Sequence, residues 1–110
     1  MEKILVMITV GSEEEALEIA KALLEERLIA CANLLGQVRS LYHWKGQLCD
    51  DREVLLFCKT QEHLFQRLSE RVKSLHRYEV PEIVALAFTA GWAPYFQWVE
   101  AETTHDSNQS

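Results

Sequence analysis

Gly36-Gln37-Val38-Arg39-Ser40-Leu41-Tyr42-His43-Trp44-Lys45-Gly46 carries the alternation on which the fold turns. Val38, Ser40, Tyr42 and Trp44 alternate with Arg39, Leu41, His43 and Lys45, the period of two that a strand requires. Upstream, Ile29 to Leu35 reads as the start of the same strand, and Gly36 interrupts it, which predicts a bulge. Downstream, Lys45-Gly46 marks a turn. Glu53 to Lys59 then returns as a second strand, with Leu55 and Phe57 on one face and Val54, Leu56 and Cys58 on the other. Residues 29 to 59 therefore form a long hairpin whose tip should project beyond an ordinary small domain.

The flanks supply the remaining elements. Ile4 to Val10 is a continuous apolar run of strand length, with both faces expected to be covered. Ser12-x-x-Glu15 then reads as a capping box. Ala16, Leu17, Ala20, Leu23 and Leu24 predict one amphipathic helical stripe that fades near Arg27. After the hairpin, Thr60 is the expected N-cap of a second helix lined by Leu64, Phe65, Leu68, Val72 and Leu75. His76 to Pro81 is a connection, because Pro81 disfavours helix at Val80. Ile83 to Phe88 is the fourth strand. Pro94 opens a short last helix with Tyr95, Trp98 and Val99 on its apolar side.

The order β-α-β-β-α-β plus a terminal helix matches the α+β ferredoxin-like sandwich. In that arrangement both main helices cover one sheet face, and helices on both faces of one subunit would reject it. The other face, apolar by pattern, is left without a helix of its own. An exposed apolar face of that size marks an association surface.

With 110 residues the chain is one domain. It is assigned to residues 1–102, with 103–110 as a polar tail. The net charge of −6 and scattered basic residues argue against a nucleic-acid partner. No stretch reaches membrane-spanning length and no secretory signal is visible, which places the chain in the cytoplasm by expectation. Three cysteines without CxxC spacing argue against a disulfide framework or a structural zinc site. Glu13-Glu14-Glu15 is read as a helix first turn that complements the dipole, rather than a cation site.

Four segments together resemble the divalent-cation-tolerance (CutA) family. They are Ile29-Ala30-Cys31-Ala32-Asn33, Ser40-Leu41-Tyr42-His43-Trp44-Lys45-Gly46, Glu53 through Thr60 ending in Lys59-Thr60, and His76-Arg77-Tyr78-Glu79-Val80-Pro81-Glu82-Ile83. The resemblance covers most of the chain. It implies a homotrimer of ferredoxin-like subunits, related in architecture to PII signalling proteins. It also implies a role in tolerance of divalent cations, with copper or another divalent metal as ligand and no tightly bound cofactor. Arg77 stands where the family usually has proline.

Candidate site residues follow. His76, Glu79 and Glu82 are the expected metal ligands, since imidazole with carboxylates suits Cu(II), Zn(II) or Ni(II). The competing reading is a polar linker that caps a helix and bonds across an interface. Cys31 is a candidate thiolate ligand for Cu(I) or, alternatively, a small buried hydrophobe. Tyr42, Trp44, Lys59 and Tyr78 are the expected walls of a cleft, where Lys59 would hold an anion; the alternatives are a solvated or paired strand-end charge for Lys59 and interface anchors for Tyr42 and Trp44. No nucleophile–base arrangement or phosphate-cradling glycine motif can be argued, so an enzyme is not expected. The expected function is binding of, or response to, divalent metal. The alternative is a PII-like small-molecule sensor or adaptor.

Overall fold

The structure is a computed structural model and describes residues 2–103. The elements are β1 (Lys3–Val10), α1 (Glu13–Glu25), β2 (Cys31–Trp44), β3 (Gln47–Gln61), a 3-10 turn (Glu62–Leu64), α2 (Phe65–Leu75), β4 (Ile83–Ala87) and α3 (Ala93–Thr103). The strands form one antiparallel sheet in the order β2-β3-β1-β4, the ferredoxin-like order.

One sheet face makes the core. Ile4, Val6, Ile8 and Val10 of β1 and Val54, Leu56 and Cys58 of β3 pack against Ile19 and Leu23 of α1 and Leu68 and Val72 of α2. Each fully buried Ile or Leu stabilises the fold by roughly 2 kcal/mol over its exposed state. The Ser12 hydroxyl caps α1 by accepting the Glu15 N–H at 3.1 Å. The reciprocal half of the expected capping box is replaced, because the Glu15 side chain points into the protein. The buried stripe of α1 is Ala16, Ile19, Ala20 and Leu23, so the expected Leu17 and Leu24 lie outside it and are exposed. The helix ends where predicted: Leu28 N–H bonds to Leu23 O and Arg27 N–H to Leu24 O, with Arg27 at φ 60°.

Thr60 is not a cap. It is still in β3, fully buried, and its hydroxyl donates to Leu28 O at 2.7 Å. The strand runs two residues beyond the predicted end because β1 pairs it as far as Lys3↔Gln61.

The hairpin is as long as the alternation predicts. Register shifts between Gly36 and Val38, so the expected bulge is present. Lys45 (φ 51°) and Gly46 (φ 79°) make a two-residue turn between the paired Trp44 and Gln47, with both centres left-handed as a type I′ turn requires. The molecule is accordingly drawn out, with a radius of gyration of 14.7 Å, against about 13 Å for a compact chain of this length.

The second sheet face is only partly open, which corrects the expectation that no helix covers it. α3 lies over one end: Glu100 pairs with Lys3 at 3.0 Å, Thr103 accepts from Gln61 Nε2 at 2.8 Å, and Tyr95 meets Cys31. Thr103, assigned by expectation to the tail, is buried in the last turn. Residues 104–110 lie outside the described residues. α3 thus puts a helix on each face, the arrangement expected to reject the sandwich. That criterion is too strict: α3 is the appended terminal helix, while α1 and α2 share one face and the strand order is ferredoxin-like. Beyond α3 the second face is largely apolar, with Phe57, Met7 and Val84 aligned in one cross-strand row that starts at Asn33, and Leu35 opposite Leu55 beside it. Leu35, Val84 and Leu86 are 43–48% exposed there.

Candidate functional site: a cleft between the hairpin and the 76–82 connection

The connection is built on His76. Its backbone N–H closes α2 on Val72 O at 2.8 Å. Its side chain is fully buried. The Tyr78 N–H donates to His76 Nδ1 at 3.1 Å, so that nitrogen carries the lone pair. Nε2 therefore carries the proton and donates to Thr9 O at 2.7 Å. Both ring nitrogens are committed inside the chain. In this single chain the ring bridges β1 and the connection, and it leaves no free nitrogen for the metal that the sequence reading assigned to His76.

Glu15 completes this buried cluster. Its Oε2 accepts the Arg77 N–H at 2.8 Å and lies 3.5 Å from His76 Nδ1. A proline at position 77 would have no N–H to give. Arg77→Pro is therefore expected to destabilise the protein by about 1 kcal/mol, the lost charge-assisted bond outweighing the gain in chain stiffness. Urea denaturation of both forms checks this. Equal or higher stability in the proline variant would show that Glu15 does not depend on that bond.

From His76 the chain turns outward. Tyr78 donates its hydroxyl to Glu53 Oε2 at 2.5 Å, with its ring 4.7 Å from the imidazole. Glu79, Val80 and Glu82 follow on the surface. Facing them, Ser40, Tyr42 and Trp44 share one side of β2 by their period of two, with Glu53 on β3. Together with Thr9 and Leu41 these residues enclose a cleft of about 540 Å³. Tyr42 donates its hydroxyl to Asp51. At the rim, Lys45 Nζ sits 3.5 Å from Glu79 Oε1 and 5.6 Å from the Trp44 ring centre.

Of the expected site residues, the structure brings together Tyr42, Trp44, Tyr78, Glu79 and Glu82. It leaves out Lys59 and Cys31, which pair with each other across β2 and β3 at the far end of the sheet. Six strand residues, about 20 Å, separate Lys59 from Glu53. Lys59 bonds to Asn33, and Cys31 Sγ lies 3.7 Å from the Tyr95 hydroxyl under α3. Glu53 and Thr9 were not singled out by sequence, and Glu15 reads there only as part of a capping box and an acidic first turn. Glu53 carried a signal, a carboxylate opening an otherwise apolar strand. The role of Glu15 was masked because an acidic first turn already has a dipole explanation.

All three tyrosines resist ionisation. A hydrogen bond to Asp51 chiefly pushes Tyr42 up to about 12, and burial pushes Tyr95 up to about 12. Burial first, then the bond to Glu53, raises Tyr78 further. A raised folded-state value stabilises the fold fully below the unfolded tyrosine value of about 10, and that contribution is lost as pH rises through the folded values. Tyrosinate absorbance should therefore stay silent to about pH 11 in the folded protein and appear near pH 10 in urea. A folded-state signal at pH 10 would contradict this arrangement.

Among the described residues, no three His, Cys, Asp or Glu side chains converge to hold a metal ion. With the imidazole committed, the side chains lining the cleft offer oxygen donors only, so they do not fit a resident transition metal by themselves. No helix among them is long and apolar enough to cross a membrane.

A ferredoxin-ordered sheet, an overlong hairpin, a partly open apolar face and an acidic, aromatic cleft define a ferredoxin-like α+β protein. The family model of the CutA1 divalent ion tolerance protein matches residues 4–102. The divalent-cation tolerance protein CutA of Thermus thermophilus is 52% identical over 98 residues, 89% of this chain and 95% of that protein. A solved structure of the divalent cation tolerance protein from that organism superposes with a TM-score of 0.90 at 50% identity, covering 93% of this chain and 99% of that one. The mouse protein CutA is 46% identical over 92% of this chain, which spans 57% of the mouse protein's length. The chain belongs to the CutA1 divalent ion tolerance family.

Proposed function

We propose that the protein is a cytoplasmic, non-enzymatic homotrimer that binds divalent metal at sites shared between subunits. The observation that carries this reading is the placement of Glu53, Glu79 and Glu82 in one cleft next to an apolar sheet face that a single chain leaves partly open. One subunit supplies carboxylates but no complete ligand set. A second copy seated on the open face brings further donors to the same place. A trimer is the assembly that the family resemblance implies. Copper is the proposed metal because Cu(II) leads the divalent series on most donor sets. Three free cysteines suit a reducing compartment.

Calorimetry with Cu(II) and Mn(II) tests the reading. The double variant Glu79→Gln, Glu82→Gln should weaken Cu(II) binding at least tenfold while sedimentation still reports the same assembly. Unchanged Cu(II) binding would remove the cleft from the metal site. A second reading, a small-molecule sensor, is favoured by the cleft's size and aromatic walls, since about 300–1,000 Å³ is the range of small-ligand pockets.

A further inference from the structure

We propose that the cleft binds a small organic cation, an ammonium or guanidinium on an apolar body; this rests on the second reading, the small-molecule sensor, and names its ligand class. The walls are of two kinds. Trp44, Tyr42 and Tyr78 present aromatic surface, and Leu41 and Val80 add apolar surface. Glu53, Glu79 and Glu82 present carboxylates, with no Lys or Arg among the lining residues. Glu53 is 5% exposed, and the bond recorded to its side chain comes from a neutral donor, the Tyr78 hydroxyl. Among the described residues neither Glu53 nor Glu82 has an ion-pair partner. A buried carboxylate without a cation is costly, and a ligand bearing the opposite charge relieves that cost.

The independent observation is a cation already using this chemistry. The Lys45 ammonium lies over the Trp44 ring at 5.6 Å and 3.5 Å from Glu79. Both partners line the cleft, and Lys45 itself does not. Its side chain is 69% exposed, so water competes for it and it is held weakly. Lys45 thus stands in at the rim for a ligand cation that would sit deeper, where an aromatic face and a desolvated carboxylate act together. A nucleotide or other polyanion is the wrong charge for these walls, whatever the fold analogy.

The test is calorimetry on the assembled protein with phenethylamine and with phenethyl alcohol, which keeps the ring and replaces the ammonium. The amine should bind at least tenfold more tightly than the alcohol. Glu82→Gln and Trp44→Leu should each weaken the amine several-fold and leave the alcohol nearly unchanged or, for Trp44→Leu, weakened less. Lys45→Asn, a residue that accepts the left-handed turn position, should tighten the amine by removing the competing ammonium. A purely structural role of Lys45 predicts no tightening, so unchanged or weaker binding in that variant overturns the proposal. Equal affinity for amine and alcohol also overturns it and leaves an apolar slot. Binding of a nucleotide but not of the amine overturns the ligand class while the sensor reading stands. Binding of neither removes both.

Discussion

His76→Ala should destabilise the protein by about 3 kcal/mol and leave Cu(II) affinity per folded assembly within threefold of the parent. The ring bridges Thr9 O of β1 and the Tyr78 N–H of the connection from a fully buried position. Removing it strands a buried acceptor and a part-buried donor, each worth about 1–3 kcal/mol, and opens a cavity beside the Glu15 carboxylate. The Tyr78 ring would lose the imidazole it rests against, so the cleft wall should loosen as well. Denaturation at fixed protein concentration, because an assembly's stability depends on concentration, together with Cu(II) calorimetry, separates the two roles. Loss of Cu(II) binding with unchanged stability would mean that the imidazole leaves its pocket to take metal.

Val84→Asp should convert the proposed homotrimer to monomer at micromolar concentration while the isolated subunit keeps its fold. Val84 ends the row Asn33-Phe57-Met7-Val84 on the second sheet face and is 43% exposed in the single chain. A carboxylate there is solvated in a monomer and desolvated without a partner in an assembly. That difference costs about 3 kcal/mol or more per contact, over a hundredfold in the association constant. Sedimentation and circular dichroism read the two states separately. A variant that still sediments as the parent does would show that this face is not the association surface. The contrast with His76→Ala is diagnostic, since one change should lower subunit stability and the other only assembly.

Much of this protein was legible from period and punctuation. The alternation from Val38 to Trp44, the glycine that breaks it and the Lys45-Gly46 turn predicted the hairpin, its bulge and its length, because strand geometry ties side-chain direction to position within one element. The Schellman-type end of α1 near Arg27 and the entry of α3 at Pro94 were equally local. Where neighbours from other elements decide, the reading failed. Thr60 has the composition of a cap but lies deep in β3, since β1 pairs with it and Leu28 O takes its hydroxyl. Leu17 and Leu24 fit a helical stripe as well as Ile19 does, and only the position of the sheet chose between them.

The candidate site divides along the same line. Tyr42 and Trp44 on one strand face, and Tyr78, Glu79 and Glu82 in one connection, could be grouped by sequence because each group is local. That the two groups meet, and that Glu53 joins them, follows from the register of β2 on β3 and the docking of the connection against the end of β1. Lys59 was drawn into the same cleft and Cys31 into the same ligand set, yet the rise of a strand carries the paired two about 20 Å away. Composition and motif determined the fold, the family and an acidic surface. Only tertiary structure decided that His76 is held as a neutral bridge between buried backbone groups, because an imidazole's function depends on what its two nitrogens meet, and those partners, Thr9 and Tyr78, are brought to it by the folded chain.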